Sequence, residues 1–476
     1  METADYNYTE LTSAHIEELR SIFTADAQVS ARPDDIVIGS RDVYPDGELW
    51  TRKGEIHYKP DCVVWPQTIE EVSALLKFAN KYRIPVVPYG GGSGVCGGTI
   101  PLAGGIVCDL KRMNRIRSID DYSMSAVIEA GAMGEILERD LNRKGYTIGH
   151  FPSSIYCSTL GGWIAARGAG QLSALYGKIE DMVLAIEAVL PDGGIIKTND
   201  APREATGPDI DQVLIGSEGT LAIITAAAMK LNPLPESKEY AGYLFPSIAD
   251  GLDAMRLMIQ SEVVPAVARL YDEVDTRVAL GKLNLTGEGC LLILLFQGYR
   301  ERTAWEMRKA KKIASDLGGK DLGQEPAKQW EKTRYHISYR QSQVLFSPGA
   351  ILDTIEVATL WTGIADLYFA VIEALKPLCF VMAHFSHIYP EGGSIYFTFV
   401  ARSEDESRDR ELYRKIWDTA MEVVLKHGAA VSHHHGIGYH KAPYVQKQLG
   451  PLMDVYRRLK RQLDPDNILN PGKMGL

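Results

Sequence analysis

Cysteine is sparse and unpatterned. Six cysteines, Cys62, Cys96, Cys108, Cys157, Cys290 and Cys379, are scattered along 476 residues, and no two form a CxxC pair. That excludes a disulfide framework, a thiolate zinc site and an iron–sulfur cluster, and it points to a reducing cytoplasm. No apolar run reaches the ~18–20 residues that a membrane span needs. The N-terminus is polar and acidic, so the expectation is neither a signal nor a transit peptide. The closing Met474-Gly475-Leu476 is not a peroxisomal address. Positive charge is also short, with a net charge of −10. That argues against nucleic acid as a partner. An anionic ligand would have to be met by local Arg, Lys, His or backbone groups.

Glycine, by contrast, is concentrated. The stretch from Val87 to Gly105 reads VPYGGGSGVCGGTIPLAGG, between the apolar runs Ile84–Val87 and Ile106–Leu110. The pattern predicts strand, tight loop, strand. Glycine tolerates φ > 0 and lets a ligand approach the backbone closely. Successive exposed N–H groups then form a concave anion site, for which a diphosphate is the natural guest. A plain surface turn would read the same, but a second cluster, His150 to Ala165, adds hydroxyls and the pair Gly161-Gly162 ahead of a short helix. No Lys-Ser or Lys-Thr closes the first loop, which excludes a Walker loop. A strand and not a helix follows it, which excludes a Rossmann fingerprint.

Local signals set the remaining elements. Thr12 or Ser13 caps a helix over residues 10–27, and Thr68 with Glu71 forms a capping box for a helix running to Tyr82. Residues 28–56 read as irregular, with a turn at Pro45-Asp46-Gly47. Beyond residue 236, strands near 239–245, 290–297, 350–357, 379–387 and 393–400 alternate with helices near 250–260, 300–317, 361–376 and 404–427. That suggests an antiparallel sheet flanked by helices. Tyr396 lies in the alternating stretch Ile395–Val400, where packing is the ordinary role of a tyrosine. His433, His434 and His435 stand together before Gly436-Ile437-Gly438. On a strand His433 and His435 would share a face opposite His434. Histidine is a common metal ligand, which leaves a metal site open as an alternative, but no carboxylate or cysteine motif stands beside the run to complete one, so none is expected.

GGGSG, STLGGW, YGKIED, LPDGG, TGPDI and GSEGTLAIIT, in that order, resemble the FAD domain of the vanillyl-alcohol-oxidase-type flavoproteins. The closing Asp464–Lys473 fits the same superfamily. The resemblance implies an α+β fold: a two-part FAD-binding domain plus an α/β cap with an antiparallel sheet flanked by helices. It divides the chain into an N-terminal helical segment (1–57), an FAD-binding domain (58–235), a substrate cap (236–439) and a C-terminal return (440–476). It implies non-covalent FAD. Pro88, Gly90, Gly91, Gly92, Ser93 and Gly94 would hold the diphosphate. Ser154, Ser158, Thr159, Gly161 and Gly162 would run along diphosphate, ribityl and flavin, and Glu218, Gly219 and Ile223 would lie beside the adenine or flavin. Cys157 would be a small residue beside the flavin and not a covalent link.

Two branches of that superfamily compete. FAD-linked 2-hydroxy-acid dehydrogenases share LPDG, IGSEGTL and NPGK, but place a metal-binding histidine where this chain has Tyr396 and a glutamate where it has His434. Alkylglycerone-phosphate synthases resemble it in the His150–Trp163 segment, in PAVARL around Arg269 and in HHHG. By that resemblance Tyr396 takes a proton from C1 of an acylated dihydroxyacetone phosphate. A fatty alcohol then replaces the acyl chain by way of flavin N5, the three histidines shuttle protons and Arg269 holds phosphate. The alternative is hydride transfer from a 2-hydroxy acid to flavin N5. His384 or His435 would then act as base, and Arg269 or Arg340 would clamp the carboxylate. Either reading implies a lipid or hydroxy-acid substrate, a homodimer in the cytoplasm and, for a lipid, peripheral membrane contact.

Overall fold

The computed structural model describes residues 7–281, 283, 286–336 and 347–476; Arg340 lies outside the described residues. Three main sheets carry the architecture. In the first, Cys62–Val64, Ile106–Asp109 and Val86–Tyr89 run parallel, with the short strand Val29–Ser30 antiparallel at the edge. Parallel neighbours need a long crossover. Between Tyr89 and Ile106 that crossover is the glycine-rich loop itself, with no helix in it.

The second sheet has the order Ile116–Asp120, Ser125–Glu129, Ile223–Lys230, Val183–Val189, Ile195–Lys197, and is antiparallel throughout. The helix Ile69–Tyr82 buries Val72, Leu75, Leu76 and Ala79 in the core that joins these two sheets. Thr68 caps it, accepting from the Glu71 N–H at 3.2 Å. Only half of the expected capping box forms: the Glu71 carboxylate takes the Gln67 N–H at 2.7 Å and the Gln28 amide at 2.9 Å instead.

The stretch expected to be irregular, residues 28–56, holds two short helices, Pro33–Gly39 and Pro45–Arg52. Each starts on a proline, whose fixed φ and missing N–H suit the first helical position. The turn signals at Pro33 and Pro45 were therefore helix starts.

The third sheet has seven antiparallel strands in the order Lys320–Gly323, Ser237–Phe245, Cys290–Gly298, Val267–Tyr271, Phe380–Ile388, Gly392–Arg402, Ala350–Leu360. Five of these strands were expected from pattern. Lys320–Gly323 and Val267–Tyr271 were not, being short and interrupted by charge. One face is apolar, with Ile355, Val357, Phe385, Ile395 and Phe397 packed beneath the helices Ile248–Gln260, Arg300–Asp316, Trp361–Leu375 and Asp409–Lys426. Strand alternation turns the opposite set of side chains toward the first two sheets. The chain's end ties back to its beginning: Val86 N–H donates to the Ile468 carbonyl at 2.7 Å, and the Asn470 N–H to the Val86 carbonyl at 2.8 Å. Among the described residues no helix is long and apolar enough to cross a membrane.

Candidate active site

A cavity of about 1370 Å³ lies between the two glycine loops and the polar face of the seven-stranded sheet. Pro88, Gly90 to Gly94, Ser154, Ser158, Thr159, Gly161, Gly162, Glu218 and Gly219 line one side; Arg269, Tyr396, His434 and His435 line the other. Two expected residues do not reach it. Ile223 is fully buried with its side chain turned the other way, and its neighbours Ala222 and Ile224 line the wall instead, as strand alternation requires. His433 stands behind His434.

The loop side fits FAD. The first loop lies flat on the second: a Cβ at Gly91 would run into the Cys157 carbonyl, and one at Gly90 into the Thr159 hydroxyl. Among the described residues, the N–H groups of Gly91, Gly92, Ser93 and Gly94 donate to no protein acceptor. A row of unpaired amides at a cavity wall is a site for phosphate oxygens. Thr159 also caps the short helix Leu160–Ala165. The Ser158 hydroxyl is already used, accepting from Trp163 Nε1 at 2.7 Å and donating to the Ser154 carbonyl at 2.9 Å, so it shapes the wall and has no proton to spare.

Cross-strand register assembles the other wall. Tyr396 pairs with His384 on one side and Glu356 on the other, and His384 pairs with Tyr271, two residues along from Arg269. All five side chains therefore share one face. The His384 ring stacks on Tyr396 with centroids 4.7 Å apart, and Arg269 donates to His384 Nδ1 at 3.2 Å. Burial and the adjacent guanidinium hold His384 well below its usual range, so its 3.4 Å approach to Asp275 is not an ion pair. Burial pushes the Tyr396 phenol up to about 12, with Thr354 and Arg269 opposing the shift. The resting phenol is protonated at neutral pH.

The histidine run is neither strand nor helix. It is a loop wrapped around the buried carboxylate of Glu356, which accepts the backbone N–H groups of His433, His434 (3.3 Å) and His435 (3.1 Å), the Ser432 hydroxyl (2.8 Å) and Lys441 Nζ (2.6 Å). Burial would raise the Glu356 pKa, but the Lys441 ammonium beside it overrides that and holds it well below the ordinary value. A second carboxylate, Glu218, takes the next turn, accepting from the Ile437 and Gly438 N–H groups. Glu218 sits in the left-handed region at φ 50° in its glycine turn. The histidine loop is thus pinned by one acid from each lobe. Burial keeps His434 well below its usual range and lowers His435 to about 4, so both are neutral and their approaches to Glu356 are not ion pairs.

Glu356 and His387 are functional candidates that sequence reasoning passed over. Glu356 looked like an ordinary polar strand position. His387 lies at an irregularity between Phe385 and Ile388, where the register slips and the side chain is turned into the cavity. Among the described residues, one group could hold a metal ion: His387, His433 and His434, with ligand atoms within 4.8 Å of one another. Four of their six ring nitrogens make hydrogen bonds. His433 Nδ1 meets His434 Nδ1 at 3.0 Å, His433 Nε2 meets the Tyr389 hydroxyl at 2.9 Å, and His387 Nδ1 meets the Ser173 hydroxyl at 2.7 Å.

Two family profiles match the chain, "FAD linked oxidases, C-terminal domain" over residues 234–474 and "FAD binding domain" over residues 60–199. The chain belongs to the FAD-linked oxidase family. FAD is the family's cofactor and this chain's. Among relatives, the alkyldihydroxyacetonephosphate synthase of Dictyostelium discoideum is 32% identical over 457 residues, covering 89% of this chain and 74% of that one. The glycolate oxidase subunit GlcD of Bacillus subtilis is 30% identical over 425 residues, covering 87% and 89%. A solved alkyldihydroxyacetonephosphate synthase superposes with a TM-score of 0.83 at 28% identity, covering 99% of this chain and 86% of that one. The FAD-linked oxidase family thus holds relatives of both reaction types at similar identity.

Proposed function

We propose that this family member is a synthase of the alkyldihydroxyacetonephosphate type. It would exchange the acyl chain of an acyl-dihydroxyacetone phosphate for a fatty alcohol. The observation that carries the reading is Tyr396, set at the cavity wall between His384 and the histidine loop. Its placement beside neutral imidazoles gives a phenol that can pass its proton on as it receives another. Arg269, whose Nε is buried without a partner, supplies a fixed cation for the substrate phosphate. An apolar arm of the cavity, lined by Val278, Ala279, Leu283, Leu291 and Ile293, suits an acyl or alkyl chain.

Bound FAD supplies an electrophilic centre at flavin N5. The chain does the rest. The loop amides orient the diphosphate, and Arg269 holds the substrate's headgroup. Tyr396 takes the C1 proton as its own proton moves to a histidine, and His434 and His435 handle the protons of the departing fatty acid and arriving alcohol.

A second reading rests on the Arg269–His384 pair and on the glycolate oxidase relative. In it Arg269 clamps a 2-hydroxy acid and His384 takes the hydroxyl proton as hydride leaves the carbon. One experiment separates the two. Anaerobic holoenzyme is given palmitoyl-dihydroxyacetone phosphate with hexadecanol, and separately D-lactate, D-2-hydroxyglutarate and glycolate. Free palmitate with ether product, and no flavin bleaching by any hydroxy acid, is the expected result. Bleaching by a hydroxy acid, reversed by an electron acceptor, would overturn it.

A further inference from the structure

Each reaction above releases one proton per turnover inside the cavity. Acyl exchange yields an ether and a fatty acid that ionises near neutrality. Oxidation of a hydroxy acid splits hydrogen into hydride and proton. A chain-length substrate in the apolar arm would fill the cavity and shut out the water that could otherwise carry that proton away.

Two strings of exchangeable groups start at the cavity and meet at one residue behind it. The first runs from His434, which lines the cavity, through His434 Nδ1 to His433 Nδ1 (3.0 Å), and from His433 Nε2 to the Tyr389 hydroxyl (2.9 Å). The second runs from His387, also lining the cavity, to the Ser173 hydroxyl (2.7 Å), which is close enough to the same Tyr389 phenol to lower its pKa. Tyr389 itself does not line the cavity. It is half-buried at a strand end, beside the exposed Pro390 and Glu391. Its outward neighbourhood is acidic, with Glu180 and Asp181 close enough to raise its pKa further after burial has done so. One Glu180 oxygen is buried without a partner; the other meets Lys178, whose ammonium also donates to the His433 carbonyl at 2.9 Å.

Every station has the right chemistry. A neutral imidazole donates at one nitrogen and accepts at the other, and a hydroxyl does both, so each can pass a proton on without holding a charge. Burial keeps His387, His433 and His434 neutral. Between the two facing Nδ1 atoms one must carry the hydrogen, and moving it across is the hop itself.

We propose that Tyr389 is the outer station of a proton path that links the Tyr396 cavity, through His433 and His434 and through His387 and Ser173, to the acidic rim at Glu180. The proposal rests on that cavity being the reacting one. The test is Tyr389→Phe in the FAD-loaded enzyme, which removes one hydroxyl and keeps the ring. In dilute buffer its kcat falls about tenfold or more, with KM and FAD content unchanged. Raising the concentration of a small buffer such as imidazole restores it, while the wild type is indifferent to buffer. The solvent deuterium isotope effect on kcat rises in the variant. Ser173→Ala, which cuts one string only, loses less. Wild-type kcat in dilute buffer, or a loss that no buffer restores, overturns the path. A wild-type enzyme inactive with both substrate classes overturns the functional reading and takes the path with it. An active wild type with a silent Tyr389→Phe overturns the path alone.

Discussion

At the scale of single residues, Glu356 decides more than its place in the sequence suggests. It holds three successive backbone N–H groups of the histidine loop and neutralises Lys441, and both side chains are fully buried. Glu356→Gln keeps the shape but turns one acceptor into a donor that faces donors. It also leaves Lys441 charged with only the Ser432 hydroxyl to hold, a loss worth about 3–5 kcal/mol for a broken buried pair. We expect a lower melting temperature and loss of turnover together; an active, equally stable variant would show the carboxylate to be dispensable. Tyr396→Phe makes the complementary test. It removes the hydroxyl and nothing else, so FAD binding and melting should stay as they are while turnover drops by at least about a hundredfold. His435 carries a pH signature. Its pKa is about 4 in the fold against 6.5 for the free side chain. Below pH 6.5 the unfolded chain takes up a proton that the fold refuses, so stability tied to His435 is present at neutral pH and lost as pH falls toward 4. Melting curves should therefore show the wild type losing ground to His435→Gln over that window, by on the order of 3 kcal/mol, and a constant difference would refute the shift.

At the scale of elements, the two glycine loops are one device. The first can lie on the second only because Gly91 has no side chain where the Cys157 carbonyl sits. Gly91→Ala must push the loops apart and misplace the four unpaired amides. The expected result is protein purified without its yellow colour, with far-ultraviolet circular dichroism unchanged; full FAD occupancy would refute the packing argument. These loops were legible in the sequence because their chemistry is local: glycine spacing, a threonine cap and flanking apolar runs lie within twenty residues. Local alternation gave Tyr396 its strand but only a packing role; the family resemblance is what singled it out. Glu356 and His387 were not legible. Glu356 meets His433 across 77 positions of sequence, and His387 meets Ser173 across 214. No local signal announces such contacts; they follow from strand order in the large sheet and from the slip after Phe385. The expectation that no metal sits at the histidines rested on finding no carboxylate nearby in sequence, yet the sheet brings one there. His387, His433 and His434 stand close enough together there to hold an ion. Dialysis against EDTA should leave flavin content and turnover untouched, and loss of either, restored by a divalent ion, would assign the trio to a metal.

At the scale of the molecule, the cavity is the seam. Its floor is built from the glycine loops and its roof from the seven-stranded sheet, each backed by a separate apolar core. Direct ties across the seam are both polar and apolar: Glu218 to the Ile437 and Gly438 amides, Lys178 to the His433 carbonyl, Ser173 to His387, Arg410 to Asp46, and Leu172 packed against Val267 and Leu295. A cofactor that touches both sides adds to those ties by mass action, about 2.7 kcal/mol when FAD is present at a hundred times its dissociation constant. Without it, each lobe still has its own core but has lost the ties that run through the cofactor. Calorimetry should then show one cooperative transition for the FAD-loaded protein and two for the stripped protein. The early transition alone should move upward as FAD is added back. A single transition in both forms, displaced uniformly by FAD, would mean that the direct ties suffice and that the two cores unfold as one.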